Sequence, residues 1–259
     1  MNIAIVGFGK MGKKIYQIAV EKGYRITSII DPFSTDSLIT AKKITLKNLK
    51  DSNVVIDFSH SSCILENIKF YISNNIPSVI GTTGWYDQLD ELKIFAKDYP
   101  ESSLIYSGNF SIGVSLFREV VRLASSLFGK TGSYDVFANE IHHREKSDSP
   151  SGTATLLSDV IIENFEGKDK IVTQRLDRKI EENEVHISST RGGWIPGTHT
   201  VVFDSPFDSV ELVHRARTRD GFALGAILAA SWLINKKGFF TLDDFVETLI
   251  NKNKEIKDV

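Results

Sequence analysis

A dense group of side chains capable of acid–base chemistry lies at residues 140–154, where the sequence reads EIHHREKSDSPSGTA. An extended backbone points adjacent residues to opposite faces, so His142 and His143 are expected to have different roles. Histidine titrates near neutral pH and can accept or deliver a proton during turnover. Lys146 follows as a point cation. These residue types indicate general acid–base catalysis on an anionic substrate, although either histidine taken alone is also typical of a structural role.

A helix is predicted to begin directly after this group, with Pro150 and Ser151 as its N-terminal signals. Gly152 and Thr153 would then present backbone N–H groups to an anion, with the Thr153 hydroxyl in reach. A carboxylate could bind between Lys146, a histidine and this helix start.

A second candidate site lies near the N-terminus, where GFGKMG occupies residues 7–12 directly after the apolar run 2–6. A GxGxxG sequence between a strand and a helix is typical of dinucleotide binding. The first glycine permits the tight turn, the second lets the backbone approach a pyrophosphate, and the third allows close packing of helix on strand. The alternative is a simple tight turn. The predicted coenzyme contacts in this turn are Gly7, Phe8, Gly9, Lys10, Met11 and Gly12.

Asp31 ends the second apolar run, where an acidic residue binds the ribose hydroxyls of a dinucleotide. Its charge disfavours a 2′-phosphate, so NADH is expected to serve at least as well as NADPH. Lys10, and either Lys13 or Lys14, would oppose that preference. The alternative role for Asp31 is to cap a turn before Pro32.

Small polar residues follow two later predicted strands, 78–80 and 104–106. Ligands in open α/β sheets bind beyond the carboxyl ends of the strands, so both loops are expected to flank a nicotinamide. Each loop alone is also typical of an ordinary turn. The predicted contacts are Gly81, Thr82 and Thr83 in the first loop, and Ser107, Gly108, Asn109 and Phe110 in the second.

The elements that position these residues follow two patterns. Up to residue 110, continuous apolar runs alternate with helical periodicity, which predicts a parallel sheet covered on both faces. The right-handed crossover rule favours a doubly wound sheet. Beyond it, longer strands of alternating polarity predict an α+β region, with a loop-rich stretch at 166–183. An apolar helix near 221–235 is expected to return to the first domain.

The predicted fold class is therefore α/β, a Rossmann-type doubly wound parallel sheet with an inserted α+β domain. Residues 1–110 and 219–259 form the dinucleotide-binding domain in this prediction, and residues 111–218 form the inserted one.

Composition narrows the class of protein further. The chain has 259 residues, a formal net charge of −2 and one cysteine, Cys63. Near-neutral charge argues against a protein that coats nucleic acid. A lone cysteine cannot form an intramolecular disulfide, and with no second ligand pair at suitable spacing no metal site is expected. The longest apolar stretch, 222–234, is too short to span a membrane, and no signal peptide is recognised at the N-terminus. A cytoplasmic protein without membrane or nucleic-acid partners is predicted.

Over nearly its full length the chain resembles the 4-hydroxy-tetrahydrodipicolinate reductases of bacterial lysine and diaminopimelate synthesis. Residues 140–154 resemble the family signature E-x-H-H-x-x-K-x-D-A-P-S-G-T-A, with Ser149 where the family usually has alanine. The glycine turn is one residue shorter than in many members. The resemblance implies that NADH or NADPH reduces 4-hydroxy-tetrahydrodipicolinate to tetrahydrodipicolinate.

The resemblance also implies roles for the first group of residues. His142 matches a proton donor or acceptor, and Lys146 matches the catalytic proton-donating lysine, which leaves the donor open between them. His143 matches a substrate contact, and Gly152 and Thr153 match the pair that holds a substrate carboxylate. The family further implies that the inserted domain binds this small dicarboxylate and assembles a homotetramer.

Two other functions stay open. Another Rossmann dehydrogenase, acting on an amino acid or a sugar, would keep the coenzyme site but would not need His-His-x-x-Lys before a helix start. A non-catalytic NAD(H)-binding regulator would keep the glycine turn and lose the acid–base residues.

Overall fold

The computed structural model describes residues 1–251, which form two compact units. The first consists of Met1–Ile112 together with the described chain from Arg219 to Asn251, and the second of Gly113–Thr218. None of the helices in this described part of the chain is long and apolar enough to cross a membrane.

Eleven strands and eight α-helices make up the described chain. The strands are β1 (Asn2–Val6), β2 (Arg25–Ile30), β3 (Val54–Asp57), β4 (Ser78–Ile80), β5 (Ser103–Tyr106), β6 (Asp135–His142), β7 (Lys170–Val172), β8 (Glu184–Arg191), β9 (Thr198–Asp204), β10 (Ser209–Arg215) and β11 (Gly238–Thr241). The helices are α1 (Lys10–Glu21), α2 (Leu46–Leu49), α3 (Ile64–Ser73), α4 (Leu89–Phe95), α5 (Ile112–Gly129), α6 (Gly152–Asn164), α7 (Asp220–Leu233) and α8 (Leu242–Asn251).

The first unit is built on a six-stranded sheet with the order β11-β5-β4-β3-β1-β2, in which every pairing is parallel. The chain runs from β1 to β2 on one side and then returns to β3 on the other side of β1. The direction of winding therefore reverses between β1 and β3, as in other doubly wound sheets.

Both faces of this sheet are buried. Alternate residues of β1 belong to two separate cores, with Ile3 and Ile5 on one face and Ala4 and Val6 on the other. The first core also contains residues of α1, α7 and α8, so the apolar helix after residue 219 does pack on the first unit. Continuous apolar strands are the sequence pattern that such two-sided burial requires.

The second unit holds a five-stranded mixed sheet with the order β10-β9-β6-β8-β7. The central strand β6 runs antiparallel to β9 and parallel to β8. Its burial alternates, because Val136 and Ala138 face a core that includes residues of α5 and α6, whereas Phe137 is 40% exposed. Along β6, the residues on the face away from this core are therefore more exposed than those that face it.

The prediction of an α/β fold with a doubly wound parallel sheet and a second α+β region is confirmed. The stretch 166–183, expected to be loop-rich, contains the short strand β7. The sequence reading also missed β11 and the single-turn helix α2. Both missed strands lie at sheet edges, where fewer partners impose an apolar pattern.

Candidate active site

A cavity of about 700 Å³ lies in the first unit at the carboxyl ends of β1, β2 and β3. This is the point where the winding direction reverses, the preferred ligand position in open α/β sheets. Its walls include the turn at Gly7 and Gly9, the segment from Asp31 to Ser34, and residues Phe58 to His60. Two of the predicted coenzyme segments are thus brought together around one cavity.

Glycine occupies the three positions of the first turn for different structural reasons. Gly7 has φ +84°, and a Cβ there would lie 2.4 Å from the Phe58 carbonyl oxygen. A Cβ at Gly12 would lie 2.0 Å from the carbonyl oxygen of Gly7. A Cβ at Gly9, by contrast, would meet no atom within 4 Å. The fold itself therefore requires Gly7 and Gly12, whereas Gly9 leaves open space for a ligand beside the start of α1.

Asp31 organises the wall of this cavity. Its carboxylate accepts hydrogen bonds from the backbone N–H groups of Phe8 (2.7 Å), Phe33 (2.8 Å) and Ser34 (2.8 Å). Burial raises the pKa of this carboxyl, but these three bonds and the nearby charge of Lys42 lower it overall. The turn-capping role is thus present, and it leaves about one of the four lone-pair positions for a ribose hydroxyl.

The two later loops lie side by side at the same edge of the sheet. Gly81, Thr82 and Thr83 line a smaller cavity of about 270 Å³, and a Cβ at Gly108 would lie 3.3 Å from the Thr83 methyl carbon. Phe110 is 1% exposed and belongs to the core, so only its backbone could contact a coenzyme. The same holds for Phe8, which is 3% exposed.

The sequence reading missed the loop that joins these cavities. Phe58, Ser59 and His60 line both of them, and Lys42 and Lys43 line the larger one. The loop carries a signal of the kind used for the other strand ends, because Ser59-His60-Ser61-Ser62 follows β3 directly. The two lysines carry no comparable pattern.

In the second unit, the pairing of neighbouring strands brings the acid–base residues together. Glu140 on β6 pairs with Ser189 on β8 and with His199 on β9. His199 in turn pairs with His214 on β10. One row of polar side chains therefore crosses four strands. Two residues further along β6, on the same face, His142 pairs with Arg191.

Glu140 is fully buried at the centre of this row. Its Oε1 accepts hydrogen bonds from Ser189 Oγ (2.7 Å), Arg191 Nη2 (2.7 Å) and the Ser151 N–H (3.1 Å). Its Oε2 contacts His142 Nδ1. Burial alone would raise the pKa of this carboxyl, but these hydrogen bonds and the His142 contact lower it to about 2. Glu140 is therefore an ionised carboxylate, and sequence reasoning did not single it out.

The two adjacent histidines have the different surroundings that the alternation of a strand predicts. His142, the last residue of β6, has a side chain only 8% exposed. Burial lowers its pKa, the Glu140 charge opposes this, and Lys146 and Arg191 lower it further. His143 is half-buried, and its backbone N–H donates to the Ile195 carbonyl at 2.8 Å.

Lys146 lies in the turn that follows β6, where its N–H donates to the His143 carbonyl at 3.1 Å. Its ammonium donates to both carboxylate oxygens of Asp148, at 2.7 and 2.9 Å. Arg191 ties the same turn to the sheet, because Nη2 also donates to the Asp148 carbonyl at 2.6 Å. Arg191 is a further residue that the sequence reading missed.

The predicted helix start is present, with Ser151 as the N-cap of α6. The Ser151 hydroxyl accepts a bond from the Ala154 N–H at 3.2 Å and lies 3.2 Å from His199 Nε2. The N–H groups of Gly152 and Thr153 have no hydrogen-bond partner within residues 1–251, as is usual in a first turn. They remain available to an anion.

Glu140, His142 and His199 each offer a donor atom, and these atoms lie within 4.8 Å of one another, a spacing that could hold a metal ion. Oε1 of Glu140 already accepts three hydrogen bonds, Oε2 is in contact with a ring nitrogen of His142, and the Arg191 guanidinium adds a positive charge beside them. We therefore interpret the cluster as an acid–base network. The absence of a metal site remains a prediction.

The buried histidines predict a pH-dependent stability. Burial, with the neighbouring His142, lowers the pKa of His199 from 6.5 to about 4. Between these values the unfolded chain binds a proton that the folded chain does not, so stability falls as the pH drops from about 6.5 towards 4. Glu140 contributes at lower pH, where its stabilisation is lost below about 4.5. The thermal midpoint is expected to fall between pH 7 and pH 5, and less steeply in His199→Gln. An equal slope in both proteins would contradict this origin.

With this geometry established, comparison with known proteins shows what the chain is similar to. Models of the dihydrodipicolinate reductase family match residues 1–110, as its N-terminus, and residues 113–246, as its C-terminus. A 4-hydroxy-tetrahydrodipicolinate reductase of Christiangramia forsetii is 37% identical over 249 residues, 96% of this chain and 99% of the relative. The enzyme of the same name from Archaeoglobus fulgidus is 33% identical, over 95% of this chain and 100% of its own length.

A solved structure of a dihydrodipicolinate reductase from Paenisporosarcina, with dipicolinate bound, superposes with a TM-score of 0.75. It is 23% identical and covers 93% of this chain and 97% of its own. At this identity the likeness supports the fold, whereas the family models and the sequence relatives, which span almost the whole chain, establish the family. The chain belongs to the dihydrodipicolinate reductase family.

Proposed function

We propose that this protein is an oxidoreductase that uses NADH or NADPH to reduce 4-hydroxy-tetrahydrodipicolinate to tetrahydrodipicolinate, in lysine and diaminopimelate synthesis. The observation that carries the proposal is the gathering of His142, Lys146 and the free N–H groups of α6 in one part of the second unit. Family membership, with relatives named for this reaction, supplies the identity of the substrate.

The residues around the larger cavity fit a dinucleotide. The open space at Gly9, the start of α1 and the carboxylate of Asp31 are the features that a pyrophosphate and an adenosine ribose require. The bound nicotinamide supplies the hydride for the reduction. The chain supplies the turn at Gly7 to Gly12, the carboxylate that orders the neighbouring backbone, and two lysines, Lys42 and Lys43, along the cavity wall.

Replacing Gly9 with alanine tests this site directly. Because a Cβ there meets nothing in the free protein, stability should change by less than about 1 kcal/mol. The methyl group would keep the backbone from the pyrophosphate and remove a charge-assisted hydrogen bond worth about 1.5–3 kcal/mol. The Kd for NADH is therefore expected to rise by about 10- to 100-fold. Calorimetric titration and thermal unfolding measure the two effects, and an unchanged Kd would exclude close approach at Gly9.

A dicarboxylate is recognised by the chemistry of the second unit. The N–H groups of Gly152 and Thr153 lie at the positive end of α6 and suit one carboxylate. Lys146 adds a cation nearby, and His143 adds a ring donor at the same end of β6. This arrangement binds a small dianion locally, which agrees with the nearly neutral charge of the whole chain.

The proton is delivered by Lys146 in this proposal. Its Nζ carries N–H donors at the surface of the turn. The lowered pKa of His142 keeps that imidazole neutral at neutral pH, and a neutral ring is a poor proton donor. His142 remains an acceptor and a hydrogen-bonding group for the substrate.

The deciding experiment follows NADH absorbance with the purified full chain and an enzyme that generates the hydroxy-tetrahydrodipicolinate substrate, omitted in the control. Loss of absorbance only with the complete mixture supports the proposal. Turnover only with another keto or imino acid favours a different dehydrogenase. Binding of NADH without any turnover favours a regulator.

We further propose that the protein is a cytoplasmic homotetramer assembled through its second unit. The second sheet supports this, because Phe137 is 40% exposed on one face of β6, and Val210, on the opposite face, is 37% exposed on the edge strand β10. Pairing of such faces and edges would protect them. The free thiol of Cys63 agrees with a reducing compartment. Light scattering at micromolar concentration tests the assembly, and a monomer would reject it.

A further inference from the structure

One buried carboxylate contacts both functional parts of the second unit. Glu140 is fully buried, and its Oε2 contacts Nδ1 of His142. Its Oε1 accepts the Ser151 N–H at 3.1 Å, at the residue that caps α6. Removal of a carboxylate from water is costly unless every oxygen is satisfied. The groups around Glu140 that offset this cost include the acid–base histidine and the anion-binding helix start, beside Ser189 and Arg191.

We propose that Glu140 is a positioning residue for the reduction proposed above, on which this role rests: its carboxylate fixes which nitrogen of His142 carries the proton and holds the start of α6 in register with it.

The tautomer of His142 follows from the number of donors around Glu140. Oε1 already accepts from Ser189, Arg191 and the Ser151 N–H. An ionised carboxylate has no proton to donate, so the close contact at Oε2 is favourable only when Nδ1 of His142 carries the proton. Neutral His142 therefore keeps Nε2 unprotonated. That nitrogen is the one left for the substrate or for a proton.

The surroundings of the ring reinforce this choice. Nε2 of His142 lies so close to the Gly197 backbone that a Cβ on Gly197 would be 2.9 Å away, so the ring has little room to turn. The other charged or titratable groups facing it are Lys146, Arg191 and His199, and each of these disfavours a positive charge on His142 or is itself neutral. Among these neighbours within residues 1–251, Glu140 is the one that favours a proton on the ring.

The link to α6 is reinforced from the other neighbouring strand. His199 lies opposite Glu140 in the β6–β9 register and places Nε2 3.2 Å from the Ser151 hydroxyl. Ser151 is thereby held through its N–H by Glu140 and through its side chain by His199. The N–H groups of Gly152 and Thr153 follow it directly, so their position depends on the same carboxylate.

Glu140→Gln separates positioning from packing. The amide keeps the volume, and its oxygen can still accept from Ser151, Ser189 and Arg191. Its NH2 group then faces His142 Nδ1 and donates to it, which leaves the ring proton on Nε2. The variant thus reverses the direction of the hydrogen bond between residue 140 and His142 and retains the bonds from Ser151, Ser189 and Arg191.

The matched control is Glu184→Gln. Glu184 is also fully buried in this sheet and accepts from Lys170 (2.8 Å) and Arg178 (2.7 Å). Those contacts lie on β7, on β8 and in the segment between them, outside the proposed site. The control should therefore lose stability, as Glu140→Gln does, without a change in the chemistry of His142.

Nitrogen-15 NMR of the histidine rings in the free full-length protein shows which nitrogen of His142 carries the proton. The His142 signals are assigned by their absence in His142→Gln. We expect a proton on Nδ1 in the wild type and in Glu184→Gln, and on Nε2 in Glu140→Gln. Steady-state kinetics should then show kcat lowered by at least about 100-fold in Glu140→Gln, with an unchanged Kd for NADH and nearly normal turnover in Glu184→Gln.

An Nε2–H tautomer in the wild type, or an unchanged tautomer in folded Glu140→Gln, overturns the proposal. Equal kinetic losses in both variants overturn it as well. If Glu140→Gln does not fold, the wild-type spectrum still decides the tautomer. A wild-type protein without reductase activity would instead contradict the proposed function, because the spectra are recorded without substrate.

Discussion

Lys146→Ala is expected to lower kcat by about 100- to 10,000-fold, the range typical of a lost general acid. The Kd for NADH should stay unchanged, because every lining residue of the larger cavity belongs to the first unit. Lys146 offers the ammonium of the turn after β6, and its partner Asp148 is itself exposed and needs no buried counter-charge. The loss should therefore be chemical rather than structural.

Arg144→Ala is the matched control for this variant. It removes a cation from the same turn, but Arg144 stacks on the ring of Trp194 at 4.7 Å and pairs with Glu145. We expect nearly normal kcat in Arg144→Ala, and similar thermal midpoints in the two variants. A kcat for Lys146→Ala close to that of Arg144→Ala, measured by NADH oxidation, would remove Lys146 from the mechanism.

Most strands of the first unit could be predicted from the sequence because their continuous apolar pattern reflects burial on both faces of the sheet. Residues 3–6 and 54–56 are apolar at consecutive positions, the pattern that a sheet buried on both faces requires. The strand β11 is different, since its first residue, Gly238, has φ +114° and its four residues are all only half-buried. A short edge strand of this kind has too few buried positions to produce a recognisable apolar pattern.

The acid–base network could be predicted only in part. His142, Lys146 and the start of α6 lie within one continuous segment, and their types and spacing carry the chemistry. Ser189 and Arg191 reach Glu140 from 49 and 51 residues away. Their approach depends on the register of β6 against β8, and a shift by one residue would turn each side chain to the other face. That register cannot be deduced from a single sequence.

The largest structural effect is expected from Gly225→Ala in α7. An added Cβ there would lie 1.7 Å from the carbonyl oxygen of Phe110 and 3.6 Å from a side-chain carbon of Ile112. The first of these contacts is with backbone, which cannot rotate away, so α7 or the end of the 107–110 loop must shift. Overpacking of this kind costs about 1–3 kcal/mol or more.

Gly221→Ala in the same helix is the control, because a Cβ there meets nothing within 4 Å. Alanine in place of a helical glycine should leave stability unchanged or raise it by about 0.4–1 kcal/mol. Urea unfolding followed by circular dichroism compares the two variants with the wild type. The displaced Phe110 backbone should also weaken NADH binding in Gly225→Ala, since the loop it ends is a proposed coenzyme contact. Equal midpoints for the two variants would show that α7 does not approach Phe110 so closely, and the close packing of this helix on the coenzyme-binding unit would have to be abandoned.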